Sequence, residues 1–94
     1  MNEKDKPFAI IYHTKNCQKC RQTARMLKIK TDLRLIDRAN KDNIDIIEYM
    51  DNHGMSSAPL VRVFEDSQLV DEWNDFNISK IKETNKRYNY EMFK

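Results

Sequence analysis

The 94-residue chain reads as an α/β domain with element order β-α-β-α-β-β-α. That order gives a four-stranded mixed sheet with helices on both faces. Three observations lead there. Short aliphatic runs at Phe8–Tyr12, Leu33–Ile36 and Leu60–Phe64 are too brief for helices and too apolar for loops. Between them lie polar-rich segments whose apolar residues recur at helical spacing. The length suits one small domain and not two, so residues 1–94 are taken as a single domain with its core over about residues 8–90.

The elements follow in order. Phe8 to His13 is a first strand, nearly continuous in apolar residues, as expected of a strand buried on both faces. From Cys17 to about Lys30, Cys20, Ala24 and Leu27 share one helical face. Leu33–Ile36 is a short second strand, and a strand–helix–strand unit of this length makes the two strands parallel. Asn40 to Asn43 offers N-caps for a second helix, in which Ile44, Ile47 and Met50 form the apolar stripe and Ile46 widens it. That helix ends at Gly54, the single glycine of the chain, where a left-handed residue is wanted. Leu60–Phe64 is a third strand and Leu69–Trp73 a fourth, joined by a turn without the glycine that favours the tightest hairpins. Asn77 caps a last helix with Ile78, Ile81 and Tyr88 facing inward, and the aromatic tail Tyr88–Phe93 extends it.

Composition excludes several classes. Two cysteines are too few for a disulfide scaffold of the secreted kind. The polar start Met1–Lys6 carries no signal peptide, and no apolar run reaches membrane-spanning length, so a cytoplasmic location is expected. Net charge is only +2, but no acidic residue lies between Asp5 and Asp32, whereas Lys6, Lys15, Lys19, Arg21, Arg25, Lys28 and Lys30 do. Arg25, Lys28 and Lys30 read as the wet face of a helix. A nucleic-acid module would need a basic patch with stacking aromatics, and none is present.

The chemistry sits at Cys17-Gln18-Lys19-Cys20, between the first strand and the first helix. A thiol at a helix N-terminus faces unpaired N–H groups and the positive end of the helix dipole, and both favour a thiolate. Cys17 is then the exposed first cysteine, and Cys20, one turn inside, can close a disulfide back onto it. Lys15 and Lys19 flank the sulfur and add positive field. Two thiolates at this spacing also grip zinc, but only His13 and His53 could complete the site, at a spacing that fits no common zinc pattern. A Cys-x-x-Cys beside a βαβ pattern reads instead as a thioredoxin-like redox motif.

Three blocks, Cys17-x-x-Cys20, Ser57-Ala58-Pro59-Leu60-Val61 and Trp73-Asn74-Asp75-Phe76-Asn77, resemble in order and spacing the glutaredoxin branch of the thioredoxin fold. Within it the NrdH-redoxins, small electron donors to ribonucleotide reductase, are the most similar. The resemblance spans Phe8 to about Glu83. It implies that Pro59 is a cis-proline beside the cysteines and that the backbone around Ala58 hydrogen-bonds an incoming peptide or thiol. It also makes Trp73, Asn74, Asp75 and Phe76 a partner-contact segment. The chain departs from NrdH-redoxins in this segment, where they carry Trp-Ser-Gly-Phe-Arg-Pro. It departs again at Thr14, where a lysine is frequent in the family, and at Gln18-Lys19 between the cysteines. Glutathione-using glutaredoxins carry a Gly-Gly pair near Asn74-Asp75, and this chain has none.

The resemblance therefore implies a dithiol–disulfide oxidoreductase with Cys17 and Cys20 as its catalytic pair. Thr14, Lys15, Lys19, Ser57, Ala58, Pro59, Trp73, Asn74, Asp75 and Phe76 would contact the partner. Its substrate would be a protein disulfide, such as that of ribonucleotide reductase, and its reductant thioredoxin reductase. The redox-active disulfide serves in place of a metal or organic cofactor. A monomer is expected, with no nucleic-acid or membrane partner. Two alternatives stand beside this expectation: a glutathione-dependent glutaredoxin, and a non-catalytic redox-sensing or metal-binding module.

Overall fold

A computed structural model describes residues 6–88. In chain order it holds β1 (Phe8–His13), α1 (Gln18–Met26), β2 (Lys30–Leu35), α2 (Ile44–Asn52), β3 (Leu60–Glu65), β4 (Gln68–Asn74) and α3 (Ile78–Arg87). The sheet order is β2-β1-β3-β4. β1 pairs parallel with β2 and antiparallel with β3, and β3 pairs antiparallel with β4. The expected order and mixed sheet are both present.

Side-chain alternation along the strands decides which helix covers which face. Ala9 and Ile11 of β1 sit opposite Val63 and Val61 of β3, and Val61 opposite Trp73 of β4. These five form the buried core with Leu27, Ile29 and Ile81, against which Ala24 and Met26 of α1 and Tyr88 after α3 pack. So α1 and α3 cover this face. The other face carries Arg62 opposite Glu72. Tyr49 of α2 reaches both: its hydroxyl hydrogen-bonds Glu72, and its ring lies 4.4 Å from the Arg62 guanidinium. That hydrogen bond, with burial and the Glu72 charge, holds the Tyr49 hydroxyl above its ordinary pKa. α2 therefore covers the second face over this polar cluster, on a face where Leu60 is fully buried and to which α2 adds the buried Met50.

Several boundaries differ from the sequence expectation, each for a physical reason. β1 is fully buried on one face only; on the other Phe8, Ile10 and Tyr12 are half-buried, because the nine-residue α2 covers that face only in part and Phe8 stacks on Phe64 at 5.1 Å. α1 stops at Met26, four residues early. Leu27 is already extended (ψ 127°), and it and Ile29 both turn into the core at a two-residue spacing. The end of the helix is held by the fully buried Asn85 of α3. Its Oδ1 accepts from Lys28 N–H at 2.9 Å, and its Nδ2 donates to the Met26 carbonyl at 3.0 Å. β2 accordingly starts at Lys30 rather than Leu33. In α3, Asn77 caps as expected by accepting from Lys80 N–H at 3.1 Å. Ile78, however, is 41% exposed, and Ile81, Thr84 and Asn85 form the buried face. In α2, Met50 is buried but Ile44 is exposed. The tail beyond Tyr88 lies outside the described residues.

The β3–β4 hairpin closes with Asp66 and Ser67, both at positive φ (54° and 66°). That is the type I′ pattern, whose twist matches the flanking strands. Aspartate tolerates the left-handed region well enough to serve without glycine.

Gly54 (φ 68°) ends α2 in a Schellman motif: Met55 N–H bonds the Met50 carbonyl at 2.8 Å, and Gly54 N–H bonds that of Asp51 at 3.3 Å. A Cβ here would meet nothing within 4 Å, so only the backbone conformation penalises a side chain. Gly54→Ala should lower stability by about 1 kcal/mol, read from the urea midpoint, and Gly54→Asn by less.

Candidate functional site

β1 delivers the chain to the C-terminal end of the parallel β1–β2 pair, and α1 leaves from there. Between them Thr14, Lys15 and Asn16 form an exposed turn, with Asn16 left-handed at φ 55°. Cys17 is the N-cap of α1 in extended conformation (φ −94°, ψ 105°). Its Sγ accepts a hydrogen bond from the Cys20 N–H at 3.2 Å, the role a serine or aspartate oxygen usually plays. No acidic residue lies in the first turn of α1.

Cys17 and Cys20 form a disulfide with Cα atoms 5.3 Å apart, inside the ordinary range. The two sulfurs are not equivalent. Cys17 is partly exposed, whereas Cys20 is only 4% exposed. An incoming group can meet Cys17; Cys20 is reached from Cys17.

The three sequence blocks converge on this end of the sheet. The Ala58–Pro59 peptide bond is cis, and Pro59 is fully buried at the start of β3. The turn after β4 is tied to it by two hydrogen bonds. Asp75 N–H donates to the Pro59 carbonyl at 2.9 Å, and Asn74 Nδ2 donates to the Ser57 carbonyl at 3.2 Å. Asp75 itself is left-handed at φ 68°. Its carboxylate lies 2.9 Å from the Lys19 ammonium, between the two cysteines in sequence. A chain of contacts thus runs from α1 through Lys19 and Asp75 to Pro59.

That geometry revises the roles of individual residues. Lys19 is paired with Asp75, so its charge is partly neutralised at the sulfurs. Lys15 is exposed beside Cys17. Trp73 belongs to the core at 6% exposure, with little surface left for a partner. Phe76 is half-buried against that same core. Asn74 and Asp75 act on the site through the hydrogen bonds just described. Sequence reasoning missed Arg21, Ala24, Leu33 and Leu35, which share an open groove with both cysteines. The alternation of Leu33 and Leu35 on a strand next to β1 was the available signal. Among the described residues no cluster of three or more His, Cys, Asp or Glu side chains could hold a metal ion. No described helix is long and apolar enough to cross a membrane.

The hydrogen bond from Lys19, and a second from the Phe76 N–H, hold the Asp75 carboxyl below its ordinary pKa. The pair therefore persists through neutral pH, and it is lost only as pH falls through that depressed value. Asp75→Asn keeps the left-handed residue tolerable and frees Lys19. Alkylation of reduced Cys17 by iodoacetamide at neutral pH should then rise about threefold, from one charge removed near the sulfur. An unchanged rate would mean that Lys19 does not act on Cys17.

No protein-family model matches the chain, and no curated protein matches it in sequence. Its fold, by contrast, is shared with thioredoxins. Thioredoxin f2 of Chlamydomonas reinhardtii is similar over 94% of this chain and 83% of its own, at TM-score 0.58 and 14% identity. Fasciola hepatica thioredoxin is similar over 90% and 83%, at 0.58 and 15%. A thioredoxin f2 solved in complex with ferredoxin:thioredoxin reductase is similar over 89% and 78%, at 0.56 and 16%. The chain has the thioredoxin-like fold.

Proposed function

We propose that this protein is a dithiol–disulfide oxidoreductase that reduces disulfide bonds in polypeptide partners. The observation that carries this is the asymmetric Cys17–Cys20 pair at the start of α1. In the reduced protein the Cys17 thiolate, capped by the Cys20 N–H, attacks one sulfur of the partner's disulfide. The other partner sulfur leaves as a thiolate and takes a proton from water. Cys20 then loses its proton and attacks Cys17 Sγ, which breaks the mixed disulfide and releases the second partner thiolate. Two electrons have passed to the partner, and the chain is left as the Cys17–Cys20 disulfide. The Ala58 N–H and carbonyl make no hydrogen bond within the described chain, so they are available to hold the partner's backbone like an added strand.

A dithiol reductant must reset the pair. The finer assignment is to the NrdH-like electron donors, with thioredoxin reductase as reductant and the cysteine pair of a ribonucleotide reductase as substrate. The similar thioredoxin f2 solved in complex with ferredoxin:thioredoxin reductase is an instance of this fold docking a reductase. Glutathione fits less well. Where glutathione-using relatives place a Gly-Gly pair, the Asn74 amide and the Asp75 N–H and carboxylate are already engaged with Ser57, Pro59 and Lys19. A coupled NADPH-oxidation assay on a protein disulfide tests this. Turnover with thioredoxin reductase and none with glutathione plus glutathione reductase is expected. Turnover with glutathione alone would overturn the NrdH-like assignment and make the protein a glutaredoxin. No turnover with either would favour a redox-sensing module.

A further inference from the structure

β2 is an edge strand, yet it carries two exposed leucines on the helix-covered side of the sheet. Leu33 pairs with Ile11 and Leu35 with His13, so both share the face that α1 covers over β1. Ile11 is fully buried there, while Leu33 is 55% and Leu35 45% exposed. α1 presents the small Ala24 toward this edge, and a groove of about 400 Å³ stays open between α1 and β2. Its far wall is the cysteine pair itself.

The geometry points to this groove as the docking site for the segment of partner polypeptide that flanks the target cysteine. The occupant would bring an aliphatic side chain against Leu33 and Leu35 and an acidic residue toward Lys15 and Arg21. The inference rests on the disulfide exchange proposed above and names the substrate's sequence class.

Two observations support that occupant. The groove is continuous with the reacting sulfur, so a chain bound at Cys17 passes along it. Its charge is also one-sided. None of the residues lining it is acidic, and Lys15 and Arg21 are exposed on it. On the other side of the cysteines the carboxylate of Asp75 pairs with Lys19. An acidic flank is thus drawn to the α1–β2 side, whereas on the Asp75 side the Lys19 charge is already offset. A second copy of this chain is a poorer occupant. A two-fold dimer through this patch would set Lys15 and Arg21 against their own copies.

The test compares a peptide disulfide having leucine and glutamate beside its target cysteine with a small aromatic disulfide, on the wild-type chain, Leu33→Ser and Leu35→Ser. Both leucines are exposed, so the variants should fold, checked by circular dichroism. Each variant should lower the peptide-to-small-disulfide ratio of kcat/KM about tenfold, through KM. Replacing the peptide's leucine with serine should cost the wild type a similar factor and Leu33→Ser little more. Replacing its glutamate with lysine should weaken binding further at low salt.

Equal loss on both substrates, or no dependence of the wild type on the peptide's flanks, would overturn the groove while leaving the oxidoreductase function intact. A wild-type chain that reduces neither substrate would overturn both. A concentration-dependent dimer that Leu33→Ser dissolves would put a second copy in the groove and overturn the partner assignment.

Discussion

Cys17→Ser should reduce turnover of a protein disulfide to the uncatalysed background, and Cys20→Ser should leave the chain covalently attached to its substrate. The difference follows from exposure. Cys17 is the sulfur an incoming group can meet, so without it no mixed disulfide forms. Cys20 is 4% exposed and three residues away. In the proposed exchange it resolves the mixed disulfide, and without it the first product accumulates. A non-reducing gel and intact mass distinguish the two variants. Unfolding does not explain the losses. A disulfide that closes so short a loop contributes only about 2 kcal/mol, and the surrounding core of Ala9, Ile11, Val61 and Trp73 does not depend on it. Undiminished turnover by Cys17→Ser would refute the assignment.

Asn85→Leu should destabilise the protein by about 2–4 kcal/mol, more than most single changes. Asn85 is fully buried and satisfies two backbone groups at once, the Met26 carbonyl and the Lys28 N–H. Leucine fills similar volume but leaves both without partners where α1 breaks and the chain turns toward β2. The Tm should fall by more than about 8 °C. Below the transition, alkylation of reduced Cys17 should be unchanged, because the start of α1 is held separately by Cys17 itself and by the Lys19–Asp75 pair. A stability equal to wild type would mean that these two hydrogen bonds contribute nothing net.

The Asn85 position also explains what the sequence left hidden. Cys20, Ala24 and Leu27 keep helical spacing, so the first helix looks longer than it is. What ends it is an amide from α3, 57 residues from Lys28. Long-range hydrogen bonds of this kind leave no local pattern. The same holds for the α2 face. Arg62 and Glu72 sit in strands among apolar neighbours, and Tyr49 lies off the Ile44–Ile47–Met50 stripe of its helix, so no local spacing singles them out. Their stacking and pairing depend on register across three elements. By contrast, β1, the N-cap role of Asn77 and the end of α2 at Gly54 were legible, because each rests on residues within a few positions. The cysteine pair was legible for the same reason. The Lys19–Asp75–Pro59 connection was not, since its members come from α1, the turn after β4 and the start of β3. Trp73 is the mixed case: its motif suggests a partner contact, and strand alternation puts most of its side chain in the core.

The most direct measurement needs no reductase. The fully reduced protein, freed of reductant, is mixed with an excess of a protein disulfide, and the products are resolved by intact mass with thiol labelling. The account predicts that each chain loses two hydrogens, closes Cys17 to Cys20, and leaves two new thiols on the substrate. A chain that keeps both thiols while the substrate keeps its disulfide would contradict it.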